Sequence, residues 1–164
     1  TGYIETDRGR SFPGRYLWTQ CLWNGPEPSS LMLAIATIPL SVGGFTGCIC
    51  SLLYGGREYR LASYRGVRLE AWSSCGAVIR QGKYRLEAEL LNERRQPLRA
   101  PMEGRMERTI HESLCAEVRY RFWHRDNLLF QHTDPNASFE CSCLPSQYHL
   151  RPIWFSDGSP TRPP

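Results

Sequence analysis

The chain has 164 residues and a mass of 18.9 kDa, room for one domain or two very small ones. Hydrophobic residues make up 41% and charged residues 22%, which supports a buried core and excludes general disorder. A formal net charge of +4 and a pI near 8.8 are too mild to mark a nucleic-acid partner, and none is expected. Fourteen Gly, 12 Pro and 12% aromatics against 3 Met favour strands and turns over a helical bundle.

Residue 1 is Thr, no charged-then-apolar leader follows it, and residues 1–7 already alternate as a strand does. The chain is therefore expected to be a piece of a longer polypeptide, cytoplasmic or peripheral to a membrane. Tyr3, Glu5 and Asp7 fall on one strand face, with the carboxylates roughly 7 Å apart. Residues 8–13 read as a turn, and 16–23 as the next strand. There Tyr16, Trp18, Gln20 and Leu22 share a face, opposite Thr19, Cys21 and Trp23. Two readings stay open. A shielded carboxylate beside aromatic walls suits protonation of a carbon–carbon double bond, since burial keeps the acid protonated and ring faces stabilise a cation. Alternatively, Asp7 pairs with Arg8 or Arg10 in a structural turn and the rings are core.

Residues 28–56 contain no charge. A membrane-spanning helix of that length would be broken by Pro39, Gly43, Gly44 and Gly47, so two buried strands are expected, 31–38 and 45–54. Gly55-Gly56 turns the chain into a strand over 57–63, and Arg65-Gly66 leads to another over 67–72. Alternation is equally clean over 83–90 and 114–123: in the first, Tyr84, Leu86, Ala88 and Leu90 oppose Lys83, Arg85, Glu87 and Glu89. Over 114–123, Leu114, Ala116, Val118, Tyr120 and Phe122 oppose Cys115, Glu117, Arg119, Arg121 and Trp123. Asp126-Asn127 reads as a hairpin turn into 128–132. The pattern predicts an all-β antiparallel barrel or sandwich over 1–140. Residues 141–164 read as an irregular Pro-rich tail outside the functional argument.

Seven cysteines match no disulfide framework and imply a reducing compartment with mostly buried thiols. Cys48-x-Cys50 and Cys141-x-Cys143 each place two sulfurs on one strand face, but no His stands at ligand spacing beside them, and no metal is expected. His111, His124, His132 and His149 read as surface or satisfied residues, and no Ser or Cys nucleophile has an identifiable His partner. Asn136-Ala137-Ser138 matches a glycosylation acceptor only by chance. Walker loops, dinucleotide fingerprints and Gly-x-Ser-x-Gly elbows are absent from the sequence.

The stretch Tyr3-Ile-Glu-Thr-Asp-Arg-Gly-Arg-Ser-Phe-Pro-Gly-Arg-Tyr-Leu-Trp-Thr-Gln20 resembles the tocopherol cyclase family's Tyr-x-Glu-x-Asp, Ser-Phe-Pro and Trp-x-Gln pattern. Further stretches match in order: residues 30–39, 45–47, 56–66, 98–104 and 106–116. Arg8 and Tyr16 stand where that family usually carries aromatics. The resemblance spans about residues 2–140. It implies a lipocalin-like β domain, the second of two, with the N-terminal half of the same protein as its partner.

The implied reaction closes the chromanol ring of a prenylated hydroquinone, without cofactor, by protonation of the prenyl double bond. The resemblance implies Asp7 as proton donor, with Glu5 as the alternative. Trp18, Trp23, Tyr59 and Tyr64 would be ring-stacking or cation-stabilising walls, and Gln20 a hydrogen-bond partner of the quinol oxygens. Arg57–Tyr64 as one regular strand would put Tyr59 and Tyr64 on opposite faces. Arg108 and Glu112 read as a structural ion pair. Substrates that live in lipid imply peripheral membrane contact. Two other functions share the architecture: a carrier of an isoprenoid or quinone lipid, and a hydratase of an isoprenoid double bond.

Overall fold

The computed structural model describes residues 13–40, 43–92 and 96–142, so Glu5, Asp7 and residues 143–164 of the expected tail lie outside the described residues, whereas Cys141 and Ser142, read as tail, end the last strand with Cys141 buried in the core. Among the described residues there are ten strands: β1 (Arg15–Trp23), β2 (Ser29–Pro39), β3 (Gly44–Tyr54), β4 (Arg57–Ala62), β5 (Arg68–Ser73), β6 (Gly76–Gln81), β7 (Tyr84–Asn92), β8 (Gln96–Met102), β9 (Arg105–His124) and β10 (Asn127–Ser142). They form one antiparallel sheet in the order β4-β3-β2-β1-β10-β9-β7-β6-β5, and β8 pairs with the first part of β9. The chain meanders outward through β1–β4 and crosses to the far edge by a 3-10 turn, Ser63–Arg65. It then returns through β5–β7, and β9 and β10 complete the centre beside β1. This is the expected all-β, barrel-like architecture. No helix among the described residues is long and apolar enough to cross a membrane.

The sheet curls until its two edges approach. Gln81 on β6 accepts the Ala62 N–H of β4 at 3.0 Å and donates to the Arg60 carbonyl at 3.4 Å. A side-chain amide thus serves edge groups that a ladder would otherwise satisfy. The Arg15 guanidinium of β1 lies 4.1 Å from the ring centre of Trp72 on β5, spanning the interior at one end. At the other end the Tyr54 hydroxyl of β3 donates to the Leu129 carbonyl of β10 at 3.1 Å.

The inner face is the core. From one side come Leu17, Leu31, Leu33, Ile35 and Leu52, and from the other Ile79, Leu86, Val118, Phe122 and Phe139, all fully buried. Each such side chain contributes about 1.5–3 kcal/mol by leaving water. On β7, Leu86 and Ala88 point in, while Glu87 and Glu89 face out to Arg121 and Arg119 at 3.0 and 2.6 Å.

Three expectations need correction. The charge-free segment is not buried on both faces. Leu31, Leu33, Ile35, Cys48, Cys50 and Leu52 point inward, but Ile38, Phe45, Ile49 and Leu53 are exposed, because no second layer among the described residues covers the outer side of β2 and β3. Leu114 is 66% exposed instead of inward-facing. Ala137 pairs with Ala116 and Phe139 with Ser113, so β9 holds one extra residue there, and Ser113 takes the inner place. The hairpin loop is Arg125-Asp126, one residue earlier than read, with Arg125 at φ 56°. The stretch 98–104 forms β8 and a tight turn at Glu103-Gly104, whose φ values of 52° and 83° suit a two-residue hairpin.

Candidate functional site

Alternation along β1 sends Leu17, Thr19, Cys21 and Trp23 to the interior. Along β10 the inward set changes parity. Phe130, His132 and Asp134 face in, then Ala137, Phe139 and Cys141, because Asp134 pairs with Val118 and Ala137 with Ala116. The extra residue sits at Pro135-Asn136. Proline has no N–H to give the ladder, and Asp134 Oδ1 accepts the Asn136 N–H at 2.8 Å, which holds the bulge. One strand can therefore bring a polar pair and an apolar run to the same interior.

Three chemically active side chains meet there. The Cys21 sulfur, a His132 ring nitrogen and an Asp134 carboxylate oxygen all lie within 4.8 Å of one another. His132 Nε2 stands 3.9 Å from Asp134 Oδ2. Trp23 stacks on the imidazole with ring centres 4.6 Å apart and planes 16° from parallel. Beside them, Thr19 Oγ1 lies 2.6 Å from the Tyr120 hydroxyl and donates to the Ser138 carbonyl at 2.9 Å. Thr19 has one proton, so Tyr120 is the donor between the two. His132 Nε2 is buried and makes no hydrogen bond.

Burial sets the protonation of this group. It pushes the Cys21 thiol well above its ordinary value, and the Asp134 charge adds to the effect. Burial likewise raises the Tyr120 phenol, with the neighbouring Cys21 adding to it. The His132 imidazole is lowered by burial, against the pull of Asp134. Neutral thiol, phenol and imidazole thus adjoin one carboxylate.

Towards the end of the interior marked by Tyr54, rings interlock. Phe122 lies 5.1 Å from Tyr59, 5.5 Å from Tyr84 and 5.9 Å from Phe130, and Phe130 lies 4.7 Å from Tyr54 and 5.4 Å from Trp23. Among the residues singled out from sequence, Trp23 and Tyr59 join this interior. Trp18 and Gln20 are half-buried on the outer face of β1, separated from Trp23 by the sheet itself. Tyr64 is 71% exposed on the 3-10 turn, since β4 ends at Ala62 before reaching it. Glu5 and Asp7 fall outside the described residues.

Sequence reasoning missed Cys21, His132 and Asp134 as a group. The structure corrects the reading of His132 as satisfied, and it gives Cys21 the histidine neighbour thought absent. A local signal existed: His132 and Asp134 are two apart, as strand residues on one face must be, and Pro135 marks the bulge. The pairing of β1 with β10 had no local signal. Of the Cys-x-Cys pairs, Cys48 and Cys50 do share the inner face, and burial pushes the Cys48 thiol up to about 12. The expected pair of Arg108 with Glu112 is replaced by other partners. Arg108 donates to the Pro13 and Gly14 carbonyls at 2.6 and 2.9 Å and to the Ser142 hydroxyl, tying the approach to β1 onto β9 and β10. On the same outer face Tyr16 donates to Glu140.

No protein-family model, curated protein or solved structure matches this chain.

Proposed function

We propose that this chain closes the chromanol ring of a prenylated hydroquinone, the reaction that its ordered likeness to the tocopherol cyclase pattern implies. The observation that carries the reading is the ring-lined interior. Trp23, Tyr54, Tyr59, Tyr84, Phe122 and Phe130 pack at one end of a largely apolar interior. Ring faces stabilise a developing carbocation, and aliphatic walls suit an isoprenoid tail.

In the proposed step an acid delivers its proton to the prenyl double bond. A C–H bond forms, the π bond breaks, and positive charge develops at the tertiary carbon. The phenol oxygen attacks that carbon to form the C–O bond, and its proton returns to the acid's conjugate base. No electrons leave the substrate. Asp7 is the proposed donor, with Glu5 the alternative, while Trp23 and Tyr59 offer the π faces.

Incubation of the full chain with prenylhydroquinones of several tail lengths tests this. A chromanol of unchanged mass and shifted chromatographic retention is expected, with Asp7→Asn abolishing turnover and keeping affinity. Substrate that binds and is recovered unchanged would make the protein a carrier. A product one water heavier would make it a hydratase.

A further inference from the structure

We propose that Cys21, His132 and Asp134 form a binding site for a divalent metal ion of the zinc class, three protein ligands with a fourth position left for an oxygen ligand. This goes beyond the cyclisation reading and does not depend on it.

The ligand set is of the right kind. Zinc takes thiolate, imidazole and carboxylate at about 2.3, 2.0–2.1 and 2.0–2.2 Å, which places tetrahedral ligand atoms about 3.3–3.8 Å apart. His132 Nε2 and Asp134 Oδ2, at 3.9 Å, are already near that spacing. The whole group lies within 4.8 Å and needs to close by about 1 Å at most. Thiolate and imidazole select against magnesium and calcium.

The surroundings support the same assignment. The ligands stand on neighbouring strands: Cys21 directly follows the stretch of β1 that pairs with β10, and His132 and Asp134 lie beyond the bulge of β10. His132 Nε2 is a buried ring nitrogen with no hydrogen bond, which a metal ion would engage. Trp23 fixes the ring plane by stacking, and the Asn136 N–H holds the second oxygen of Asp134. Charge balances as well: one thiolate and one carboxylate offset a dication, leaving a neutral assembly in an apolar interior. His132 keeps 24% of its side chain exposed, so the group lies near the surface. Binding would release the Cys21 thiol proton to solvent.

A titration of the reduced, metal-free full chain with cobalt(II) reads this directly. One equivalent should produce a thiolate-to-cobalt charge-transfer band in the near ultraviolet and strong tetrahedral bands in the visible, both displaced by zinc(II). Cys21→Ser should abolish the charge-transfer band. His132→Gln and Asp134→Asn should each weaken binding about tenfold or more. A variant with Cys75→Ser and Cys115→Ser, both exposed positions, should keep the full spectrum. Near-ultraviolet circular dichroism of each variant confirms folding.

Absence of the bands at stoichiometric cobalt, or bands that survive Cys21→Ser, would overturn the site. So would alkylation of Cys21 by iodoacetamide as fast as at Cys75 and Cys115, which would mark a reactive thiol instead. Chromanol formation by chelator-treated protein separates failure of this site from failure of the cyclisation reading.

Discussion

Two regions of one interior differ sharply. Around Phe122 the rings of Tyr59, Tyr84 and Phe130 pack against one another, each contact adding apolar burial. Two residues along β10 from Phe130, the same interior admits a thiol, an imidazole and a carboxylate, and one of their polar atoms makes no hydrogen bond. Trp23 touches both regions, stacking on His132 and tilting against Phe130. The first region stabilises the fold. The second costs stability, because an unmet buried polar atom forfeits its hydration, and such a cost points to function.

Substitutions can break or sharpen that contrast. Phe122→Ala should have the largest effect, a loss of about 3–5 kcal/mol in denaturant-induced unfolding, because it opens a cavity where four rings meet. Asp134→Ala should cost about 1 kcal/mol by releasing the Asn136 N–H and loosening the bulge, and should also remove cobalt binding. Glu89→Gln on the outer face should cost less, about 0.5 kcal/mol, and should matter least at high salt, since its pairs with Arg119 and Arg121 are partly solvated. His132→Phe should change stability least, by less than about 0.5 kcal/mol in either direction, because an apolar ring can keep the stack on Trp23 without a stranded nitrogen. A large loss there would mean that the imidazole is structural. Among the described thiols, Cys75 and Cys115 should react first with an alkylating agent, and Cys21, Cys48 and Cys50 only on unfolding, as peptide mapping would show.

The strands were legible where one face is charged and the other apolar. Glu87 and Glu89 against Leu86 and Ala88 leave a single register that buries the right side. Leu114 broke the rule because a bulge is set by the partner strand, and Ala137 and Phe139 carry no mark of it in residues 113–116. The outer faces of β2 and β3 misled for a related reason: an apolar run states that burial is favourable, but not that a covering layer exists. The site was the least legible part. Thr19 and Tyr120 are 101 positions apart, and their contact exists only because β10 returns beside β1 and β9 follows it. Periodicity fixes which face a residue occupies, while strand order decides whom it meets.

The central proposal is that a prenylated quinol binds against the ring-lined end of the interior. A non-cyclisable analogue with a saturated tail, bound to isotope-labelled protein, permits filtered NMR measurement of contacts between tail methyl groups and protein rings. Contacts to Trp23 and Tyr59 are expected. Contacts confined to Trp18 on the outer face, or to Tyr64 on its exposed turn, would contradict the placement.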